Sequence, residues 1–168
     1  MFSAFEKKLE PVCRDSDTQL LALANSRARL RMMTLYQIAQ SHGGLVVGTG
    51  NRVEDFGVGF FTKYGDGGVD ISPIGDCMKT AVWDMGREFG LPQEIIDAEP
   101  TDGLWDDGRT DEGQLGMTYP ELELAMTQAE TNSGVDNQKE KVNLKRYREI
   151  RARNLHKMQP IPVCLIPD

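Results

Sequence analysis

The sequence predicts an α/β fold, and three observations carry that expectation. A long segment of helical apolar spacing, TQLLALANSRARLRMMTLYQIAQ, stops at His42-Gly43-Gly44 and runs directly into the β-branched stretch LVVGTG, Leu45 to Gly50. A second helical pattern follows from Asp76 to Phe89, with Met78, Val82, Met85 and Phe89 on one face. At 168 residues, 39% hydrophobic and 27% charged, the chain has the length and composition of one globular domain.

Each element has its own local signal. The run Asp15 to Asp17 is acidic and rich in capping residues, so it marks the start of the long helix, which is either continuous or broken near Asn25. A short strand ending in glycines suits a buried parallel strand whose carboxyl end faces a ligand crevice. Gly90-Leu91-Pro92 ends the second helix. Thr118 and Glu121 make a capping box with Pro120 in the first turn, so ELELAMTQAE begins a further helix, and TNSGVDN reads as a loop.

Charge narrows the function classes. The net charge of -7 argues against a nonspecific nucleic-acid binder, whose affinity comes mainly from cations neutralising phosphates. Glu94 to Glu130 carries eleven acidic residues against one arginine, and Lys139 to Lys157 carries eight Lys or Arg against two glutamates. Taken alone, that pattern reads as a solvated acidic loop followed by a basic surface helix. Cys13, Cys77 and Cys164 are widely spaced and form no CxxC pair, so the expectation is a reduced, cytoplasmic protein without a disulfide framework or zinc ribbon. The apolar runs are too short for a membrane span, and no export signal opens the chain.

Two stretches are candidates for chemistry. VVGTGN followed by Glu54 sets a hydroxyl, backbone amides and a carboxylate just past a predicted strand, an arrangement able to cradle a nucleotide and hold Mg²⁺. FFTKYGDGGVD, Phe60 to Asp70, has glycines that would let a ligand approach the backbone, with Lys63, Asp66 and Asp70 as charges of both signs. The bland readings are a tight turn and a solvated loop. DGGVDISPIGD is not an EF-hand loop, because it lacks the alternating oxygen ligands and the terminal glutamate. Lys79 lies in the first turn of the next helix, where a phosphate would also meet free amides, although singly it reads as a surface lysine. His156 and Lys157 lie near a helix C-terminus and would answer its dipole. Trp83 and Trp105 read as core or lid packing.

Together, RARLRMM, GLVVGTGNRVED, GFFTKYGDGGVDISPIGDCMKT, PTDGLWDDGRTDEGQLGMTYPELE and NLHKMQPIP closely resemble the ammonia-dependent NAD synthetase family, N-type ATP pyrophosphatases, in that family's order and with about its spacing. The resemblance runs from about Asn25 to about Val163, so the expectation is one domain, the C-terminal part of such an enzyme, with residues 1–17 an unmatched leader and 18–163 family-like. It implies an adenine nucleotide alpha hydrolase-like (Rossmann-like), doubly wound parallel sheet and a homodimer. It also implies a ligase that amidates deamido-NAD with free ammonia, ATP and Mg²⁺ through an adenylated intermediate, giving NAD, AMP and pyrophosphate.

Carried over by position, the resemblance sets Thr49, Lys79 and Thr101 at ATP, and Glu54 on Mg²⁺. Arg29, Lys63, Asp70, His156 and Lys157 would contact deamido-NAD, with Arg29 on the helix that helps form the dimer interface. The family's Ser-Gly-Gly-x-Asp-Ser loop appears nowhere in the sequence. The fold is therefore expected to lack its N-terminal strands and nucleotide loop. The absent half is supplied by a separate chain, lost, or misplaced by a wrong start. The alternative function is a noncatalytic dinucleotide-binding or scaffold remnant.

Overall fold

The computed structural model describes residues 2–9, 16–105 and 107–166. Cys13 and Asp15, used above for the cysteine count and the helix start, lie outside the described residues. The elements are α1 (Phe2–Leu9), α2 (Ser16–Ser41), a π-helix (Arg52–Val58), α3 (Lys79–Glu88), α4 (Gln93–Ile96), α5 (Asp111–Leu115), α6 (Tyr119–Thr131) and α7 (Gln138–Met158).

Helix α2 is continuous through Asn25 and ends where Gly44 N–H donates to Ala39 O at 2.8 Å, with Gly43 at φ 65°. Its small residues Ala24 and Ala28 are buried, while Leu20, Leu21, Met33, Leu35 and Ile38 are about half exposed. The second expected helix forms as α3, but Phe89, placed on its apolar face by spacing, is 78% exposed just past the helix end. The Thr118–Glu121 capping box forms as expected.

The expected buried strand is corrected in part. Among the described residues, Leu45 to Gly50 makes a single parallel bridge, Val47 to Ile71, braced by Gly48 N–H donating to Ile71 O at 2.7 Å and Asp70 N–H to Val46 O at 2.9 Å. Only Val46 of the apolar run is buried, whereas Leu45 and Val47 are 65% and 54% exposed. Side chains alternate along an extended chain, and with one face covered only every second one is hidden. Among the described residues the expected doubly wound sheet is not seen, and this bridge is the strand-like pairing that forms.

The π-helix is the element that sequence spacing did not reveal. Asn51 caps it, its side-chain oxygen accepting from Val53 N–H and Glu54 N–H at 3.1 Å, and Gly59 closes it at φ 65°. Its wide turn turns Val53 and Val58 into the main core beside Leu115, Met117, Tyr119, Leu122, Met126, Tyr147 and Ile150.

Helix α7 is more than a basic surface helix. Arg151 donates to Phe56 O and Gly57 O at 2.5 Å, and Asn154 donates to Val58 O at 2.9 Å. These bonds satisfy carbonyls at the π-helix end that would otherwise lack partners.

The glycines of FFTKYGDGGVD are explained by packing. A Cβ on Gly65 would lie 2.9 Å from Ala28 Cβ and from Thr62, and one on Gly68 would lie 3.1 Å from Met32 Cγ. Thr62 ties the loop to α2 by donating its hydroxyl to Asn25 Oδ1 at 2.6 Å, and Asp66 Oδ1 accepts from Thr62 N–H at 2.9 Å. The close approach is therefore to the protein's own helix. Gly65→Val is expected to destabilise the fold by about 2 kcal/mol, the scale of overpacking. A loss below roughly 0.5 kcal/mol in urea unfolding would mean that the loop yields freely.

Candidate functional site

The carboxyl end of the Leu45–Gly50 segment opens on a cleft of about 590 Å³. Its walls come from α2, the π-helix, the loop after Phe60 and the Pro100–Asp111 segment. Thr49, Glu54, Lys79 and Thr101, far apart in sequence, all line it. A smaller hollow of about 210 Å³ adjoins it and is lined by Lys63, Lys157, Phe61 and Tyr64. Asp55 and Val69 line both spaces.

Glu54 is the hub of the larger cleft. Its Oε1 receives the Lys79 ammonium at 2.9 Å and the Tyr119 hydroxyl, and its Oε2 accepts from Asn51 Nδ2 at 2.5 Å. The Glu54 and Lys79 side chains are only 13% and 17% exposed, which corrects the reading of Lys79 as a surface residue. Lys79 Nζ also lies 4.8 Å from the Tyr119 ring centroid, and Trp83 meets that ring edge-on at 5.7 Å. Burial and the Glu54 carboxylate push the Tyr119 phenol far above its usual range, so it remains a neutral donor.

Asp111 completes this wall and was hidden in the sequence. It belongs to the acidic stretch expected to be solvated, yet it is 7% exposed, and its Oδ1 is buried with no hydrogen-bond partner. Its Oδ2 is 3.2 Å from Tyr119 Oη. Burial first, with the Glu54 and Asp102 charges adding to it against the lowering effect of the Tyr119 hydrogen bond, holds its carboxyl above the usual carboxylate range. Asp102 has partners on both oxygens instead, accepting from Leu104 N–H, Trp105 Nε1 and Gln114 Nε2.

Asp55 stands between the two spaces, packed so close to Gly50 that a Cβ there would overlap its carboxylate. Burial, then the Glu54 and Asp66 charges, push its pKa up to about 7. The folded state therefore holds a proton that the unfolded chain releases at lower pH. The associated stability is full below about pH 4 and is lost as the pH rises to about 7. Asp55→Asn should leave urea stability at pH 4 nearly unchanged and raise it at pH 8 by on the order of 1–3 kcal/mol. Equal gains at both pH values would contradict this assignment.

The expected dinucleotide residues are partly assembled. Lys63 Nζ donates to His156 O at 2.7 Å, and Arg29 Nε donates to Lys63 O at 3.2 Å, so these three are linked. Lys157 does not serve its own helix end: its ammonium reaches Gly59 O at 3.0 Å and Phe61 O at 2.7 Å. Burial holds that ammonium below its usual pKa. His156 keeps an exposed ring whose Nδ1 lies 3.2 Å from Arg153 O, within its own helix terminus. Asp70 stands apart from this group, its carboxylate accepting from Val46 N–H at 2.8 Å and from the Tyr36 hydroxyl at 3.1 Å.

Among the described residues, no group of three or more His, Cys, Asp or Glu is placed to hold a metal unaided, and no helix is long and apolar enough to cross a membrane. Cys77 and Cys164 are free.

Comparison with solved structures defines the class first: this is the fold of the NAD and NMN synthetases. The NMN synthetase from Francisella tularensis superposes with a TM-score of 0.79 at 33% identity, over 99% of this chain and 63% of that one. The NH3-dependent NAD synthetase from Campylobacter jejuni, solved with nitrate, shares the fold at a TM-score of 0.71 and 22% identity, over 98% of this chain and 62% of that one.

The chain belongs to the NAD synthase family, whose model matches residues 1–160. The NH(3)-dependent NAD(+) synthetase of Carboxydothermus hydrogenoformans is 52% identical over 107 residues, 64% of this chain and 43% of that protein. That of Archaeoglobus fulgidus is 40% identical over 148 residues, 88% of this chain and 58% of that protein. The chain thus spans about half the length of the curated relatives it matches.

Proposed function

We propose that this chain carries the acid-substrate site and one wall of the ATP site of an ammonia-dependent NAD synthetase. The observation that carries the proposal is the meeting of two residue sets at one boundary: Thr49, Glu54, Lys79 and Thr101 line one space, Lys63 and Lys157 line the next, and Asp55 and Val69 belong to both. A ligation of this kind needs that adjacency, because ATP must reach the carboxylate it activates. Val47 and Ile71 would form one parallel pairing of a doubly wound sheet.

Each group has a task that its position suits. Lys79 would move from Glu54 to the ATP phosphates, exchanging one anion for another. The carboxylate that Lys79 would leave is an oxygen ligand of the kind a hard cation prefers, and Glu54 would then hold Mg²⁺ alongside phosphate oxygens and water. When bound, Mg²⁺ neutralises charge that builds on the departing pyrophosphate. Thr49 and Thr101, both exposed on the cleft wall, would orient the nucleotide. Arg29, Lys63, His156 and Lys157 would meet the two phosphates of deamido-NAD, with Asp70 bracing the loop that carries Lys63. Adenylation gives the carboxyl a good leaving group, and ammonia then displaces AMP to form the amide. A homodimer in a cytoplasmic setting accords with this role.

Calorimetry tests the acid-substrate site. Deamido-NAD should release heat on binding the chain, and Lys63→Ala should weaken binding about tenfold, on the scale of a charge-assisted contact. Unchanged binding by the variant, or no heat with the unmodified chain, would remove the proposal. The likeness to the Francisella NMN synthetase supports a second substrate, nicotinate mononucleotide, and tighter binding of that compound than of deamido-NAD would favour it. Because no Ser-Gly-Gly-x-Asp-Ser loop is present, NAD formation by the isolated chain is expected to be negligible. Turnover of about 1 s⁻¹ or more would overturn that expectation and the noncatalytic alternative together.

A further inference from the structure

We propose that Asp111 is a second carboxylate ligand, beside Glu54, for the divalent cation that enters the larger cleft with a nucleotide. The inference rests on the reading of that cleft as a nucleotide site, and it adds a residue for which neither motif nor spacing gave a role.

Four observations converge on Asp111. Its side chain lines the same cleft wall as Glu54, Thr49 and Lys79. It is 7% exposed, and its Oδ1 is buried without a hydrogen-bond partner. A buried carboxylate oxygen is costly unless it meets a donor or a cation. Its Oδ2 lies 3.2 Å from Tyr119 Oη, but that phenol has a single proton and also contacts Glu54 Oε1. One proton cannot serve both carboxylates, so at any moment Asp111 or Glu54 lacks it.

Charge balance points the same way. The ammonium in this wall is Lys79, and it sits on Glu54 at 2.9 Å. Once Lys79 moves to a phosphate, Glu54 and Asp111 face each other across one phenol with no fixed cation between them. Two carboxylates held a hydroxyl apart, with the remaining positions open to water and phosphate oxygens, are the oxygen set that a Mg²⁺-sized ion takes. A capping role does not account for Asp111, because Thr110 already caps α5 by accepting from Gly113 N–H at 3.1 Å.

Mn²⁺ is the probe, added with ATP to the 168-residue chain, and uptake is the loss of the ion's electron paramagnetic resonance signal beyond that of a matched Mn²⁺ and ATP solution without protein. The unmodified chain should take up one Mn²⁺, with Asp111→Asn and Glu54→Gln each weakening uptake by about tenfold or more. If Glu54→Gln loses uptake while Asp111→Asn retains it, Asp111 is no ligand and the nucleotide reading of the cleft survives. If neither variant changes uptake, both readings of the cleft fail. A chain that takes up no Mn²⁺ ends this inference without touching the deamido-NAD measurement. Should Asp111→Asn not fold, Asp111→Ser removes the same carboxylate with less bulk and must weaken uptake by the same factor. Uptake unchanged in that variant would overturn the inference.

Discussion

Tyr119→Ala should lower the unfolding free energy by about 4 kcal/mol, the scale for removing a fully buried aromatic ring. Tyr119 is 0% exposed and sits where the core meets the cleft, its ring against Trp83 and Lys79 and its hydroxyl between Glu54 and Asp111. Against a total of roughly 5–15 kcal/mol, this loss leaves the chain marginal at best. In urea the midpoint should fall by about 2 M at an ordinary slope. Tyr119→Phe divides the effect: it keeps the packing, removes only the hydroxyl, and should cost about 1–2 kcal/mol through the donor withdrawn from two carboxylates. Equal losses in the two variants would mean that the hydroxyl carries all the stabilisation and the ring none.

Lys79→Met should cost about 3 kcal/mol, because it strands a carboxylate that is almost out of water. The comparison is Arg87→Ala, whose partner Asp84 is 76% exposed and whose own side chain is 53% exposed; that change should cost under about 0.5 kcal/mol. The contrast follows from solvent screening, since the Lys79–Glu54 side chains are 17% and 13% exposed. A double-mutant cycle with Glu54→Gln should return a coupling above about 1 kcal/mol. A coupling near zero would show that the pair is incidental to stability, and would also weaken Lys79 as a residue poised to exchange Glu54 for phosphate.

Much of the helical framework was legible in the chain. Gly43 and Gly90 end α2 and α3 through left-handed conformations that other residues resist, and Thr118 and Glu121 begin α6 through a local capping box. These signals act within a few residues, so spacing reveals them. The segments of the family resemblance likewise pointed to Thr49, Glu54, Lys79 and Thr101, which converge on one cleft.

The misreadings have a common cause. Lys79 looked like a surface lysine, Asp111 like part of a solvated acidic loop, and Arg151 and Lys157 like a basic face. All four turn inward to partners or a wall at least 25 residues away or on another element: Lys79 to Glu54, Asp111 to the wall beside it, Arg151 to Gly57, and Lys157 to Gly59. The glycines of the Phe60–Asp70 loop were read as room for a ligand, whereas Gly65 and Gly68 make room for α2.

The sequence by itself determined where helices start and stop, that the chain is acidic, and which family's motifs it carries, because each of these is written in neighbouring residues or in composition. Only the tertiary structure decided which charges leave water. Burial depends on what a remote segment places against a side chain, and in this chain the same residue types serve as solvated surface at Asp84 and Arg87 and as a nearly dry pair at Glu54 and Lys79.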